Sequence, residues 1–361
     1  MQHINFNFLK HRVKAFDVSM CEWRGLHLDV ARHFMPLEFL YEIIEKMHEL
    51  NLNIFHLHLT DDQGWRFESK KYPKLHIVGG TRHETVVGKS FIFFGLNYEG
   101  DGLVHAGYYT QDQLCALNVF AKSRGVTIVP EIDLPGHMTA LLAAYPEYAH
   151  SNSGHNSAGV SGVEVATYWG VFDNILRADA QTFNFIKDIF EELLDVFDSK
   201  YIHIGGDEVH VSDYDKDFIL DNMAQYLVSK NRTPVMWDEA LEIAKKYNGV
   251  VMAWQSMEDF ERCLASGVRT VCASSSHLYF DYYQKPDTEN EPLAIGGYTP
   301  TKKVLESKIE IQNILKKISK EKSKNFIGAQ AQMWTEYTKT PQQVRYMLYD
   351  RLEAFASIFV K

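Results

Sequence analysis

The stretch Tyr201-Ile202-His203-Ile204-Gly205-Gly206-Asp207-Glu208 opens as a short β-rich run and closes on two adjacent acids behind a Gly-Gly pair. Neighbouring side chains of a strand point to opposite faces, so acids that are to work together must stand just beyond its end, where glycine frees the backbone. The same pattern, a β-rich run followed by polar residues, recurs along the chain. Candidate strands are Leu26–Val30, Asn53–Leu59, Val126–Glu131, Tyr201–Ile204, Pro234–Trp237, Val250–Ala253, Thr270–Ala273 and Phe326–Gln332. Between them, apolar spacing predicts helices at Leu37–Leu50, Gln111–Ser123, Ala180–Phe197, Phe218–Ser229, Met257–Ala265 and Pro341–Phe355. Eight strand-helix alternations in 361 residues predict an α/β chain folded as a (β/α)8 TIM barrel. The surplus over the ~250 residues of a bare barrel falls in long loops after strands 2 and 3, Lys70–Tyr109 and Ala144–Val171. An open doubly wound sheet is the rival, but no G-x-G-x-x-G follows any strand.

Composition narrows the function classes. Lys and Arg number 37 against 47 Asp and Glu, a formal charge of −10, which opposes a nucleic-acid partner. Only the Lys-rich stretch 301–325 runs the other way, and its apolar spacing reads as a solvated outer helix. No run approaches 18 apolar residues, so no membrane-spanning helix is expected. Cys21, Cys115, Cys263 and Cys272 are scattered without a C-x-x-C pair and read as free thiols. Aromatic residues reach 13%, more than an aliphatic core requires, so the rings need an address.

Barrel chemistry collects at the C-terminal ends of the strands. Arg32 follows strand 1; Asp61 and Asp62 follow strand 2; Glu131, Asp133 and His137 follow strand 3; Asp207 and Glu208 follow strand 4. Strand 5 ends at Trp237-Asp238 and strand 6 at Trp254; Tyr279 and Asp281 lie beyond strand 7, Trp334 and Glu336 beyond strand 8. Three of the six tryptophans and several carboxylates thus fall in one predicted ring. Such a ring suits a sugar, whose C–H faces pack on indole while its hydroxyls take charged partners. Glycosidases with two catalytic carboxylates hold them about 5 Å apart for retention or ~6.5–9.5 Å for inversion, usually on different strands. Two neighbours on one turn imply unequal tasks, one a proton donor and the other holding a substrate group that itself attacks.

Longer motifs carry a resemblance. Trp23-Arg24-Gly25-Leu26-His27-Leu28-Asp29-Val30-Ala31-Arg32-His33-Phe34, Phe55-His56-Leu57-His58-Leu59-Thr60-Asp61-Asp62-Gln63 and Pro130-Glu131-Ile132-Asp133-Leu134-Pro135-Gly136-His137 are three of them. With His203 to Glu208 and Gln332-Met333-Trp334-Thr335-Glu336-Tyr337, the chain resembles the glycoside hydrolase family 20 β-N-acetylhexosaminidases from about Val13 to its end. The resemblance implies an exo-acting, retaining hydrolase of terminal β-linked N-acetylglucosamine or N-acetylgalactosamine. Its nucleophile is the substrate's own 2-acetamido oxygen, passing through an oxazolinium ion. It further implies Glu208 as general acid and base and Asp207 as the group that orients the acetamido N–H. Tyr279 donates to the acetamido oxygen, Trp237, Trp254 and Trp334 wall the sugar, and Arg32, Asp281 and Glu336 grip its outer hydroxyls. Asp61 and His137 form a relay behind Glu208, with Asp133 nearby. As an acid near neutral pH, Glu208 should have its pKa raised by burial and by Asp207.

No cofactor and no metal is implied. The implied partner is an N-acetylhexosamine-terminated glycan or glycoconjugate, with monomer and homodimer both open. Residues 1–12 read as an N-terminal remnant or arm and 13–361 as the catalytic domain. Family members usually carry an α/β domain before the barrel, so the chain reads as a short form or as a fragment. Lacking a signal-peptide pattern it reads as cytoplasmic as it stands; a truncated form would be secreted, periplasmic or lysosomal. A metal-dependent amidohydrolase is one rival, from His56-x-His58 with His137, His203 and an Asp. Those two histidines precede the strand end, however, where core histidines belong. A non-catalytic sugar-binding barrel is the other rival, and the full set of acids argues against it.

Overall fold

The computed structural model describes residues 16–17, 21–89, 98–150, 163–210 and 215–360. The expected arm 1–12 lies outside the described residues, as do 90–97 and 151–162 of the two long loops. Eight parallel strands close a barrel in chain order: β1 (Trp23–Asp29), β2 (Ile54–His58), β3 (Thr127–Leu134), β4 (Tyr201–Gly205), β5 (Thr233–Trp237), β6 (Val250–Ala253), β7 (Arg269–Cys272) and β8 (Phe326–Met333), with β8 pairing β1. All residues of β1, β2, β6 and β8 are buried, as parallel strands covered by helices require.

The main outer helices are α1 (Leu37–Glu49), α2 (Gln111–Ser123), α3 (Ala180–Val196), α4 (Lys216–Ser229), α5 (Leu241–Lys246), α6 (Met257–Ser266), α7 (Thr301–Lys317) and α8 (Pro341–Ala356). Their starts are written in the sequence. Thr110 and Gln113 form a capping box on α2, and Asp179, Ser256 and Thr340 cap α3, α6 and α8 through their side chains. Each turns one apolar stripe inward, for instance Phe39, Leu40, Ile43, Ile44 and Met47 on α1. The Lys-rich stretch forms α7, an outer helix that buries Val304, Ser307, Ile311 and Ile314 and packs on α8.

Three boundaries differ from expectation in ways that matter for the site. β1 starts at Trp23 rather than Leu26. β3 runs on to Leu134, so Glu131 and Asp133 lie within the strand rather than after it, both buried. Acids look like a strand end in sequence because a buried charge is costly, but here ring nitrogens inside the barrel compensate Glu131. The third difference is a further long connection, 273–325 between β7 and β8, with α7 and an irregular stretch before it. Buried arginines hold two of the long connections. Arg66 binds the carbonyls of Val30, Ala31, Gly80 and Gly107 at 2.7–3.1 Å, and Arg351 on α8 binds those of Phe280, Tyr282 and Thr299.

Candidate active site

A cavity of about 170 Å³ opens at the C-terminal mouth of the barrel. All eight strands send residues to it. Its wall brings together Arg32, Asp61, Asp133, His137, Asp207, Glu208, Trp237, Trp254, Tyr279, Asp281, Trp334 and Glu336, the whole set proposed from sequence. It also includes Gln63, Gly170, Val171, Tyr282 and Ile295. The last four come from the loops after β3 and β7, which have no periodic signal in sequence. Gln63 was within reach, since it ends a quoted motif; it accepts a hydrogen bond from Arg32 Nε at 3.0 Å.

The acid pair is positioned by unusual backbone. Gly205 and Gly206 have φ of +70° and +106°, and a Cβ on Gly205 would stand 1.6 Å from Asp133 Oδ1. Only glycine lets the Asp133 carboxylate lie against the end of β4. Among the described residues, the non-glycine positions with positive φ are three asparagines, His137 at +53° and Glu208 at +52°. Asparagine tolerates that region; His137 and Glu208 are held there by their surroundings.

His137 stands between two pairs of acids. Its Nδ1 lies 3.3 Å from Asp61 Oδ1 and 3.1 Å from Asp62 Oδ2; its Nε2 lies 3.5 Å from Glu208 Oε2 and 3.9 Å from Asp207 Oδ2. Burial opposes its charge, but Asp61 and the hydrogen bonds to Asp61, Asp62 and Glu208 win, and its pKa rises well above the ordinary value. Asp61 is in turn gripped by Arg32 Nη2 at 2.7 Å and His58 Nε2 at 2.9 Å. Burial raises its pKa less than Arg32, His137 and His58 together lower it. Asp62, outside the expected site, accepts from the backbone N–H and hydroxyl of Thr139 at 3.0 and 2.5 Å, and so fixes the loop that carries His137.

The expected raised pKa of Glu208 is not found. Burial does push it up, but its side chain is still 31% exposed, and the hydrogen bond and charge of His137 carry it below the ordinary carboxylate value. Asp207 moves the other way: burial, then Asp133 beside it, raise it strongly. Asp133 is raised by burial too. In the free cavity, therefore, the charge rests on Glu208, and a proton is favoured on the Asp133–Asp207 pair.

Around this core stand the other walls. Trp237 and Trp334 lie 6.0 Å apart at 39°, and Trp254 stacks with Tyr279 at 6.3 Å. The indole N–H of Trp254 donates to Glu239 Oε2 at 3.0 Å, a contact that sequence reasoning missed. Burial, then Tyr282 and Asp281, raise the Tyr279 phenol, so it remains a donor. Arg32 sits 5.0 Å over the Trp334 ring, 3.3 Å from Asp29 and 3.9 Å from Glu336. Oδ1 atoms of Asp133, Asp207 and Asp281 are buried and find no hydrogen-bond partner. A buried carboxylate oxygen left unsatisfied in a cavity is free for a ligand that brings N–H or O–H groups.

Below the mouth, His56 and His58 form hydrogen bonds with two buried acids. His56 Nε2 and His58 Nδ1 lie 2.9 and 2.5 Å from Glu131 Oε2, and the other His58 nitrogen is taken by Asp61.

Comparison with known proteins points to one family. The model of the glycosyl hydrolase family 20 catalytic domain matches residues 21–219 and 211–359. A beta-hexosaminidase of Porphyromonas gingivalis is 34% identical over 96% of this chain and 44% of its own length. A beta-N-acetylhexosaminidase of Cellulomonas fimi is 31% identical over 93% of this chain and 62% of its own. The chain spans about half the length of the curated relatives it matches. Among solved structures, the Streptomyces coelicolor family 20 beta-N-acetylhexosaminidase superposes with a TM-score of 0.75 at 26% identity, covering 93% of this chain and 64% of that one. A mutant Streptomyces plicatus beta-hexosaminidase in complex with product GlcNAc gives 0.74 at 26% identity, covering 93% and 63%.

Proposed function

The chain belongs to glycosyl hydrolase family 20, and from that we propose that residues 13–361 form a catalytic domain that removes terminal β-linked N-acetylglucosamine or N-acetylgalactosamine from glycans. The observation that carries the reading is the unequal setting of the two adjacent acids. Asp207 is buried with a free Oδ1, while Glu208 faces both His137 and the open cavity. The names of the relatives, and the product held by the Streptomyces plicatus protein, support the sugar class.

In this mechanism the acetamido oxygen of the bound sugar attacks its own anomeric carbon, giving an oxazolinium ion. An intramolecular nucleophile supplies about 7–11 kcal/mol through effective molarity, so the protein need not present one. Asp207 Oδ1 accepts the acetamido N–H, Tyr279 donates to the acetamido oxygen, and Trp237, Trp254 and Trp334 keep the group in line. Arg32, Asp281 and Glu336 hold the outer hydroxyls. Glu208 protonates the leaving oxygen, then deprotonates the water that opens the intermediate, with His137 and Asp61 behind it.

The resting protonation is the reverse of the working one, and the substrate supplies the correction. An N–H on Asp207 favours its charged form. Displaced water increases the burial of Glu208, and a charged Asp207 beside it raises it further. The sugar thus moves the proton to the acid it needs.

The test is the stereochemistry of the first-formed sugar, followed by proton NMR with an aryl β-N-acetylglucosaminide. The β anomer should appear first, and a thiazoline mimic of the intermediate should inhibit. The α anomer appearing first would refute the mechanism.

A further inference from the structure

Glu131 lies within β3, outside the cavity wall, and is fully buried. Four ring nitrogens from three strands converge on it. His56 Nε2 and His58 Nδ1 lie 2.9 and 2.5 Å from Oε2; His203 Nδ1 and Trp237 Nε1 lie 2.8 and 3.0 Å from Oε1. His56, His58 and Trp237 are hydrogen-bonded to this carboxylate, while His203 Nδ1 also accepts the backbone N–H of Gly205 at 3.1 Å. None of the sugar-facing roles uses this group, since it does not line the cavity.

The two histidines on Oε2 differ in what their second nitrogen meets. His56 Nδ1 faces the amide nitrogen of Gln330 at 3.0 Å, so it accepts, and His56 is neutral. His58 Nε2 faces Asp61 Oδ2 at 2.9 Å. Both nitrogens of His58 therefore meet carboxylates that only accept, and both must carry protons. The other groups facing His58 are His27 from β1, 5.7 Å between ring centroids, and Asp133 from β3, one of whose oxygens lies within 4.8 Å of both His58 and Asp61 ligand atoms.

We propose that Glu131 and His58 are positioning residues of the proposed hydrolysis: as a buried anion and cation they continue the relay downward and fix the charge balance of Asp61, His137 and Glu208. Signs then alternate from the core to the mouth: Glu131 negative, His58 positive, Asp61 negative, His137 positive, Glu208 negative. The cation at His58 neutralises part of Asp61. Without it, Asp61 bears more strongly on the mouth and makes Glu208 harder to ionise. The direction found for His58, raised to about 10 by Glu131 and Asp61 against its burial, agrees with the geometry.

This inference rests on the hydrolase reading only for its kinetic half, and the experiment separates the two. In the intact chain labelled with 15N-histidine, long-range nitrogen–proton NMR at pH 8 should show His58 protonated on both nitrogens. A singly protonated His58 would overturn the proposal without any reference to turnover. Glu131→Gln then tests the coupling. The amide keeps the carboxylate's shape and its acceptor for Trp237, but it sets an NH2 against rings that present only N–H. His58, the ring with a proton to give up, becomes neutral. On an N-acetylglucosaminide with a poor leaving group, such as a β-linked disaccharide, kcat should fall on the order of tenfold with KM little changed. The alkaline limb of the pH profile should move to higher pH by about half a unit or more. A variant that is merely less stable, with its pH limb on that of the wild type, would refute the role. If the variant does not fold, the NMR of the wild type still decides the charge assignment.

Discussion

Two groups of buried carboxylates share one barrel interior, and they are treated in opposite ways. Glu131, deep inside, has four ring nitrogens on its two oxygens. Asp133, Asp207 and Asp281, a few residues higher at the mouth, each keep an Oδ1 with no partner. Glu131 is held well below the ordinary carboxylate pKa by its histidines although burial opposes this, whereas burial raises all three mouth acids. A satisfied charge is part of the scaffold. An unsatisfied one is a cost that the fold carries until a ligand with N–H or O–H groups arrives.

The largest effect that probes this contrast is expected at the mouth. Glu208→Gln should slow hydrolysis of substrates with poor leaving groups by about 10²–10⁴, the usual worth of a general acid, while sparing aryl glycosides whose phenolate leaves unaided. A series of aryl substrates of graded acidity measures it, and equal losses throughout would count against Glu208 as the acid. Stability should then separate the two groups by sign. Glu131→Ala removes one anionic partner of His58 and the buried acceptor of His56 and Trp237, and should cost roughly 3–5 kcal/mol in urea unfolding. Asp281→Asn removes a buried acid whose charged form the site disfavours and should gain about 0.5–1 kcal/mol while raising KM. Matching signs would dissolve the distinction.

The smallest effect is in the pH dependence of folding. His56, neutral against Glu131 and Gln330, is lowered to about 4, first by burial and then by its histidine neighbours against the pull of Glu131; His33 is lowered to about 3, chiefly by burial. Below the ordinary 6.5, the unfolded chain binds protons that these folded histidines refuse. Their contribution is complete above pH 6.5 and is lost as pH falls toward 4. The raised mouth acids act with the opposite sign, favouring the fold at low pH and less as pH rises. Urea unfolding with and without N-acetylglucosamine should therefore show the ligand flattening the neutral side of the curve and leaving the acid side alone. A ligand effect independent of pH would contradict the assignment of the mouth acids.

Much of the mouth was legible in the sequence because strand ends are legible. Arg32, Asp61, Asp207, Trp237 and Trp334 each follow a β-rich run, and a parallel barrel sends all such positions to one face. Glu131 was misplaced for the same reason. A charge within a strand reads as its end unless the partners are known, and those partners sit on β2, β4 and β5. Tyr282 and Ile295 were invisible because the stretch that carries them has no period; it is positioned by Arg351 on α8, a contact across more than fifty residues of chain. The ionisation of Glu208 was read in the wrong direction because residue types show which acids are near, while the sign depended on His137 lying 3.5 Å away with its own charge secured by Asp61 and Asp62.

The most direct test of the central claim, that the substrate's own amide attacks, is a comparison of matched aryl β-glycosides that differ only at carbon 2. The protein should hydrolyse the 2-acetamido sugar and leave the plain glucoside essentially untouched, since the glucoside lacks the attacking group. Substantial turnover of the glucoside would contradict it.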